Sequence, residues 1–281
     1  FRSGIPGKNI RPFFGKPLVH WVCAAAQDCD RIDAVYVATD NEAIAEVARG
    51  LGLAKVRVIG RGAHTATDTA TTESALLEFA ETHESEIIVL LQATSPLLRV
   101  EDLARGIELV AVGRFDSALS VVRQQRFIWS QQEDGSGHPV NYDPAARPRR
   151  QDFEGHLVEN GAFYVTRRES LLASRCRISG ATGLVEMPED TYFEMDDHAD
   201  WLILEGLMQR RARRAIGPLA ERLANLRFVA TDVDGCLTDS GMYYSEYGDE
   251  LKKFSTRDGK AFELLRKVGL VTGLLTQESR E

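Results

Sequence analysis

The sequence predicts an α/β protein whose main sheet is largely parallel and covered by helices on both faces. Two observations predict it. Strand-like and helix-like segments alternate over the first two-thirds of the chain, and the strand-like runs, such as Ile87 to Leu91, are short and continuously apolar.

The first strand is the apolar run Ala34 to Ala38, ending at Thr39-Asp40, and a helix follows from Glu42 to Arg49. Val56 to Ile59 is the next strand. Thr71 to Thr82 spaces Ala75, Leu76, Phe79 and Ala80 at helical intervals, and Ile87 to Leu91 then reads as a fully buried strand. A helix from Asp102 to Val112 leads to the strand Ser117 to Val122. From Glu133 to Phe153 the chain is polar and irregular, rich in Gly, Pro and Arg, as in a lid or an oligomerisation arm. Order returns with Gly161 to Thr166 and near Tyr192 to Met195, before a helix from Asp197 to about Arg213. A boundary near Ile216 separates residues 1–216 from 217–281, where a new strand, Leu226 to Ala230, runs into Thr231-Asp232-Val233-Asp234-Gly235.

Composition narrows the function. The chain has 281 residues, with 43% hydrophobic and 27% charged, as ordinary soluble domains have. No apolar run approaches the ~18–20 residues of a membrane span, so no membrane partner is expected. A formal net charge of −8 argues against nucleic acid as a partner. Cys23, Cys29, Cys176 and Cys236 form no CxxC pair, which fits a reducing, cytoplasmic location. The opening Phe1 implies that the natural start lies upstream.

In parallel sheets ligands bind beyond the carboxyl ends of the strands, which points to Thr39-Asp40 and Gln92-Ala93-Thr94-Ser95. Four features there carry chemistry. Ser3-Gly4-Ile5-Pro6-Gly7-Lys8-Asn9 offers glycines that admit phosphate oxygens and a lysine that adds charge; a Gly-Pro turn with a solvated lysine fits equally. Gln92 to Pro96 with Arg99 supplies small polar groups, or else caps a strand. Arg147-Pro148-Arg149-Arg150-Gln151-Asp152 suits carboxylates and phosphates, with a solvated basic loop or a nuclear import signal as alternatives. In an extended segment Glu194 and Asp196 share a face and form a natural Mg²⁺ pair, while Asp197 reads as a helix N-cap.

In this order, these motifs with Glu159-Asn160-Gly161 and Asp200-Trp201 resemble the CMP-sialic acid synthetases over roughly residues 1–210. The resemblance implies a nucleotide-diphospho-sugar-transferase-like, Rossmann-type sheet with a dimerisation arm at about 133–153. It implies CTP and an acidic nine-carbon sugar as substrates, Mg²⁺ as cofactor, and a homodimer or higher homo-oligomer. It assigns Arg61 and Thr72, flanking Asp68, to cytosine, and Asn9 and Gln92 to the phosphates and sugar. Ser95 and Asn160 join the substrate contacts, and Arg150 and Gln151 approach the acidic sugar from a partner subunit, with Gln92 and Arg150 carrying the catalytic burden. Glu194 and Asp196 match the metal carboxylates, with glutamate where the family usually has aspartate. The family's glycine-rich entrance is shortened here: Arg2 takes the place of its arginine, and no residue matches its lysine.

Asp232-Val233-Asp234-Gly235-Cys236-Leu237-Thr238-Asp239 resembles the first motif of haloacid dehalogenase-like (HAD-like) phosphatases. The resemblance implies a truncated HAD-like α/β domain in which Asp232 is the nucleophile and Asp234 the acid/base, both beside Mg²⁺. Thr276 then binds phosphate. The stretch Gly248 to Gly259 places it with phosphatases of acidic-sugar phosphates. The later lysine and acidic pair of that family have no match before Glu281, so apolar strand faces are expected to be uncovered.

Overall fold

The computed structural model describes residues 4–62, 65, 71–215, 226–234, 236–239, 243–247, 250–251 and 253–276. Arg2, Asp68 and the expected boundary at Ile216 lie outside the described residues. The chain forms two compact units, Phe1–Gln209 and Arg210–Glu281.

The first unit opens with a hairpin, β1 (Pro12–Phe13) and β2 (Lys16–Pro17), then α1 (Leu18–Gln27), β3 (Val35–Ala38), α2 (Glu42–Arg49), β4 (Val56–Ile59) and α3 (Thr72–Thr82). It continues with β5 (Ile87–Leu91), α4 (Val100–Ala111), β6 (Ser117–Gln124), β7 (Trp129–Gln131) and β8 (Gly137–Pro139). Its last elements are β9 (His156–Arg167), α5 (Arg168–Ser174) and β10 (Thr182–Met187), followed by α6 (His198–Ala215), which begins in this unit and runs past its end at Gln209. Local chemistry sets several boundaries. The Asn41 side chain accepts the Ile44 N–H at the start of α2, and Thr71 accepts the Ser74 N–H at the start of α3.

The central sheet has the order β10-β6-β9-β5. Here the expectation of a largely parallel sheet needs correction. β10 pairs with β6 in parallel, but β9 lies antiparallel to both β6 and β5. The excursion that leaves β6 returns directly into β9, so β9 must run back alongside its predecessor. β3 and β4 form a separate parallel pair. Nor is β5 fully buried: only Ile88 is, because β5 ends the sheet order.

Helices cover both faces. On one, α1 and α4 pack Val22, Leu103, Ile107 and Val110 against Ala118, Phe163 and Val185. On the other, Leu76, Leu77 and Ala80 of α3 and Leu171 of α5 cover Ile88. A third cluster joins Ile5, Phe13, Leu18 and Leu97 to Met195, Leu204 and Met208, tying the N-terminal turn to α6. Gly106 lets α4 approach the sheet closely, since a Cβ there would lie 2.5 Å from Phe163 Cε2.

The excursion is more ordered than its composition suggests. Between Gln124 and His156 it carries the β7–β8 hairpin and two 3-10 turns, Pro144–Ala146 and Arg150–Asp152. Aromatic rings replace an apolar core: Phe127 lies 4.4 Å from Tyr142 and 4.9 Å from Phe153, and the Arg147 guanidinium sits 4.4 Å over Phe127.

In the second unit, strands Phe228–Asp232 and Val271–Leu275 pair in parallel, and the helix Thr256–Lys267 lies between them in sequence. Phe228, Val271, Leu274 and Leu275 of the strands and Leu264 of the helix are each more than half exposed.

Candidate functional site

Three segments distant in sequence meet beside the C-terminal end of β5. The first is the N-terminal turn. Gly7 adopts φ 64°, a left-handed conformation that suits glycine, and starts a 3-10 turn over Lys8–Ile10. Ile5 is buried beneath it. Lys8 does not extend into solvent. Its Nζ donates to the Met195 carbonyl at 2.8 Å and to Asp196 Oδ1 at 3.1 Å.

The second segment is the turn after β5. Ser95 N donates to the Gln92 carbonyl and Leu98 N to the Ser95 carbonyl, so the strand-ending turn is real. Thr94 contributes its carbonyl, which accepts the Met195 N–H at 2.8 Å. Ser95 Oγ and Asn9 Oδ1 are buried and have no hydrogen-bond partner among the described residues, so each retains a polar atom unused there.

The third segment, Tyr192 to Met195, is expected to be ordered and is, but as irregular chain without a sheet partner among the described residues. It carries Glu194 and leads directly into Asp196. Burial pushes the Glu194 carboxyl above its usual range; Asp196 and Asp200 push the same way, and Lys8 opposes them. At the start of α6, Asp197 Oδ1 accepts the Ala199 and Asp200 N–H groups, the N-cap role expected of it. Asp200 Oδ2 reaches back to the N–H groups of Asp196 and Asp197, both at 3.0 Å. The two aspartates form a reciprocal capping box that fixes the backbone of Asp196.

A bulge in β9 completes the arrangement. Leu119 pairs with Tyr164 but Val121 pairs with Glu159, so Asn160 to Phe163 are displaced from the ladder. Gly161 takes φ +65° and lies directly against the Glu194 carboxylate, where a side chain would collide. Asn160 is buried; its Nδ2 donates to Thr191, while its Oδ1 has no partner among the described residues. Tyr164 OH donates to Glu159 Oε2 at 3.0 Å across the bulge.

The structure thus brings together Lys8, the Gln92–Ser95 turn, Gly161, Glu194 and Asp196. Carboxylate oxygens are the donors a hard divalent cation takes, and a bound cation would reverse the effects that push Glu194 upward. The Glu194/Asp196 pair fits Mg²⁺ on those grounds. Among the described residues no group of three or more His, Cys, Asp or Glu side chains is placed to hold a metal, so such an ion would draw its other ligands from water or substrate.

The other candidates have local surroundings of their own. Arg61 donates to the Thr65 carbonyl of its own loop, which Glu78 fastens by accepting the Gly62 N–H at 2.6 Å and the Thr65 hydroxyl. Thr72 is exposed at the first turn of α3. Arg150 and Gln151 are exposed on the excursion between β6 and β9, where Arg149 pairs with Asp152. Arg99 bonds to Asp190 at 3.4 Å. In the second unit Asp232 lies opposite Leu275 in the parallel pair, so Thr276 follows at the same strand end. Asp232 Oδ1 accepts the Val233 N–H at 2.8 Å, and Asp234 follows in the turn. The sequence gives no signal for Thr191 or Glu78. Asp200 has one in its spacing three residues after Asp197.

Comparisons with known proteins show the family. Residues 3–196 match the sequence profile of the family described as Cytidylyltransferase. The chain is 35% identical over 277 residues to N-acylneuraminate cytidylyltransferase A of Danio rerio, covering 97% of this chain and 63% of that protein. It is 34% identical over 278 residues to N-acylneuraminate cytidylyltransferase of Oncorhynchus mykiss, covering 98% of this chain and 62% of that protein. The chain therefore spans somewhat under two-thirds of the length of these curated relatives. A solved structure of CMP:2-keto-3-deoxy-manno-octonic acid synthetase complexed with CTP shares the fold, with a TM-score of 0.56 and 18% identity over 75% of this chain and 95% of that one. On this evidence the chain belongs to the cytidylyltransferase family.

Proposed function

We propose that the first unit transfers CMP from CTP to the anomeric hydroxyl of a sialic acid-type sugar, releasing pyrophosphate. The observation that carries the reading is the convergence of the Lys8 turn, the Gln92–Ser95 turn and the Glu194/Asp196 pair beside one end of the sheet. The named relatives support the choice of sugar.

In this reading the anomeric oxygen attacks the α-phosphorus in line, and the bond to the bridging oxygen of pyrophosphate breaks. The chain's part is positioning and electrostatics. Glu194 and Asp196 would hold Mg²⁺, which when bound supplies positive charge to the departing phosphates. Lys8 adds a cation from the opposite segment. Asn9 and Ser95 keep polar atoms that a ligand can use, and Gln92 borders the same turn. Arg61 and Thr72 would read cytosine, and the exposed Arg150 and Gln151 would meet the sugar carboxylate across a homodimer.

Incubation with CTP, Mg²⁺ and a panel of nine-carbon and eight-carbon sugar acids tests the proposal. Pyrophosphate should appear with a nine-carbon acid. Silence across the panel overturns the reading.

A further reading, hydrolysis of an acidic-sugar phosphate ester as the principal activity of a longer chain that includes the second unit, is supported by Asp232 and Thr276 occupying the same end of adjacent parallel strands. Asp232 would attack phosphorus as the ester P–O bond breaks and Asp234 protonates the leaving alcohol, water would then cleave the aspartyl phosphate to free phosphate, and both aspartates would lie beside Mg²⁺. Asp232→Asn should abolish such hydrolysis and leave CMP transfer intact.

A further inference from the structure

We infer that Thr191 is a positioning residue for the Glu194/Asp196 pair, acting with Asn160 as a clasp between the carboxylate-bearing segment and the sheet. The inference rests on the proposed role of that pair in holding a divalent cation. Asn160 Nδ2 donates to the Thr191 carbonyl at 3.0 Å and to Thr191 Oγ1 at 3.3 Å. Thr191 Oγ1 in turn donates to the Pro188 carbonyl at 2.7 Å, closing the 3-10 turn Glu189–Thr191. Both side chains are almost completely buried, at 1% and 4% exposure, so water cannot replace these bonds.

The segment after Thr191 has no strand partner among the described residues, so separate contacts, among them the Lys8 bonds to the Met195 carbonyl and Asp196, determine where it lies. One is the clasp, before Glu194. The next is the Met195 N–H to Thr94 carbonyl bond, after it. Glu194 is suspended between them. The bulge in β9 serves both purposes at consecutive positions: Asn160 holds the segment's start, and Gly161 leaves room for the Glu194 carboxylate. Partners that orient metal ligands typically alter metal affinity by about 10–100-fold when removed. Thr191 has that relation to the pair without touching either carboxylate.

The test measures binding of Mn²⁺ to the protein mixed with CTP, without sugar, by electron paramagnetic resonance. Thr191→Val keeps the shape and removes the hydroxyl; it should weaken Mn²⁺ binding about tenfold, and Thr191→Ser should restore it. CTP affinity in EDTA should stay at the wild-type level in both. Asn160→Leu, which removes the donor at similar volume without adding a charge, should reproduce the loss and serves if Thr191→Val does not fold. Wild-type Mn²⁺ affinity in a folded Thr191→Val or Asn160→Leu protein, even with a lowered melting temperature, would overturn the inference. The double variant Glu194→Gln/Asp196→Asn separates the two readings: if it too binds Mn²⁺ normally, the cation reading itself fails and the clasp's proposed role falls with it.

Discussion

Lys8 and Asp196 come from opposite ends of the first unit and form a hydrogen-bonded ion pair with an N–O separation of 3.1 Å. The same ammonium holds the Met195 carbonyl, so one side chain clamps the backbone and the carboxylate of the segment together. Both partners are partly exposed, which screens the pair; its value is geometric more than energetic.

Removing that cation has a measurable electrostatic consequence. Lys8 lowers the Glu194 carboxyl, while burial, Asp196 and Asp200 raise it. Lys8→Met should therefore move the Glu194 titration further upward in metal-free protein. Side-chain carboxyl chemical shifts followed against pH would record it, and an unchanged or lower midpoint would contradict the arrangement.

Glu194 also links stability to pH. A carboxyl whose folded value is raised contributes stability that is complete below its ordinary value of 4.5 and is lost as pH rises through the raised value. Glu194→Gln mimics the neutral form. In metal-free buffer it should melt above wild type at pH 7 and together with it near pH 4. A variant that melts lower at pH 7 would refute this.

Gly161→Ala combines a left-handed backbone with a collision against Glu194. The expected loss is about 1–3 kcal/mol, read from urea unfolding. Cation binding should weaken in parallel, since the carboxylate must move to admit the methyl group.

Asp200→Ala breaks one half of the capping box at the start of α6. It should cost about 1 kcal/mol by thermal or chemical unfolding. Asp200→Asn, which keeps an oxygen acceptor, should recover most of that.

Much of the first unit was legible in the sequence because local signals and burial agreed. α2, β4 and β5 fall where periodicity and apolar runs place them, and Thr71 and Asn41 cap the helices that follow them. The direction of β9 was not legible. An apolar run such as Gly161 to Thr166 indicates a strand but says nothing of its neighbours' orientation, which the preceding excursion decides. Within the site, Glu194 and Asp196 were visible as a spaced acidic pair, whereas Lys8 reads as a solvated lysine with equal ease. Its role depends on Met195 and Asp196 arriving from the far end of the unit. Thr191 is silent in sequence because a threonine's usefulness here comes from burial and from Asn160 opposite it.

The register at the base of the excursion has a practical consequence. Gln124 and His156 are direct partners in the β6–β9 ladder, so everything between them is a detour that begins and ends at one rung. Such a detour is a cassette: a tight two-residue turn could bridge the rung and leave the sheet's alignment unchanged. The aromatic cluster travels with the cassette, since Phe127, Tyr142 and Phe153 all fall inside it. Evolution, or an engineer, can therefore rebuild what this protein presents beyond its sheet without re-solving the fold beneath.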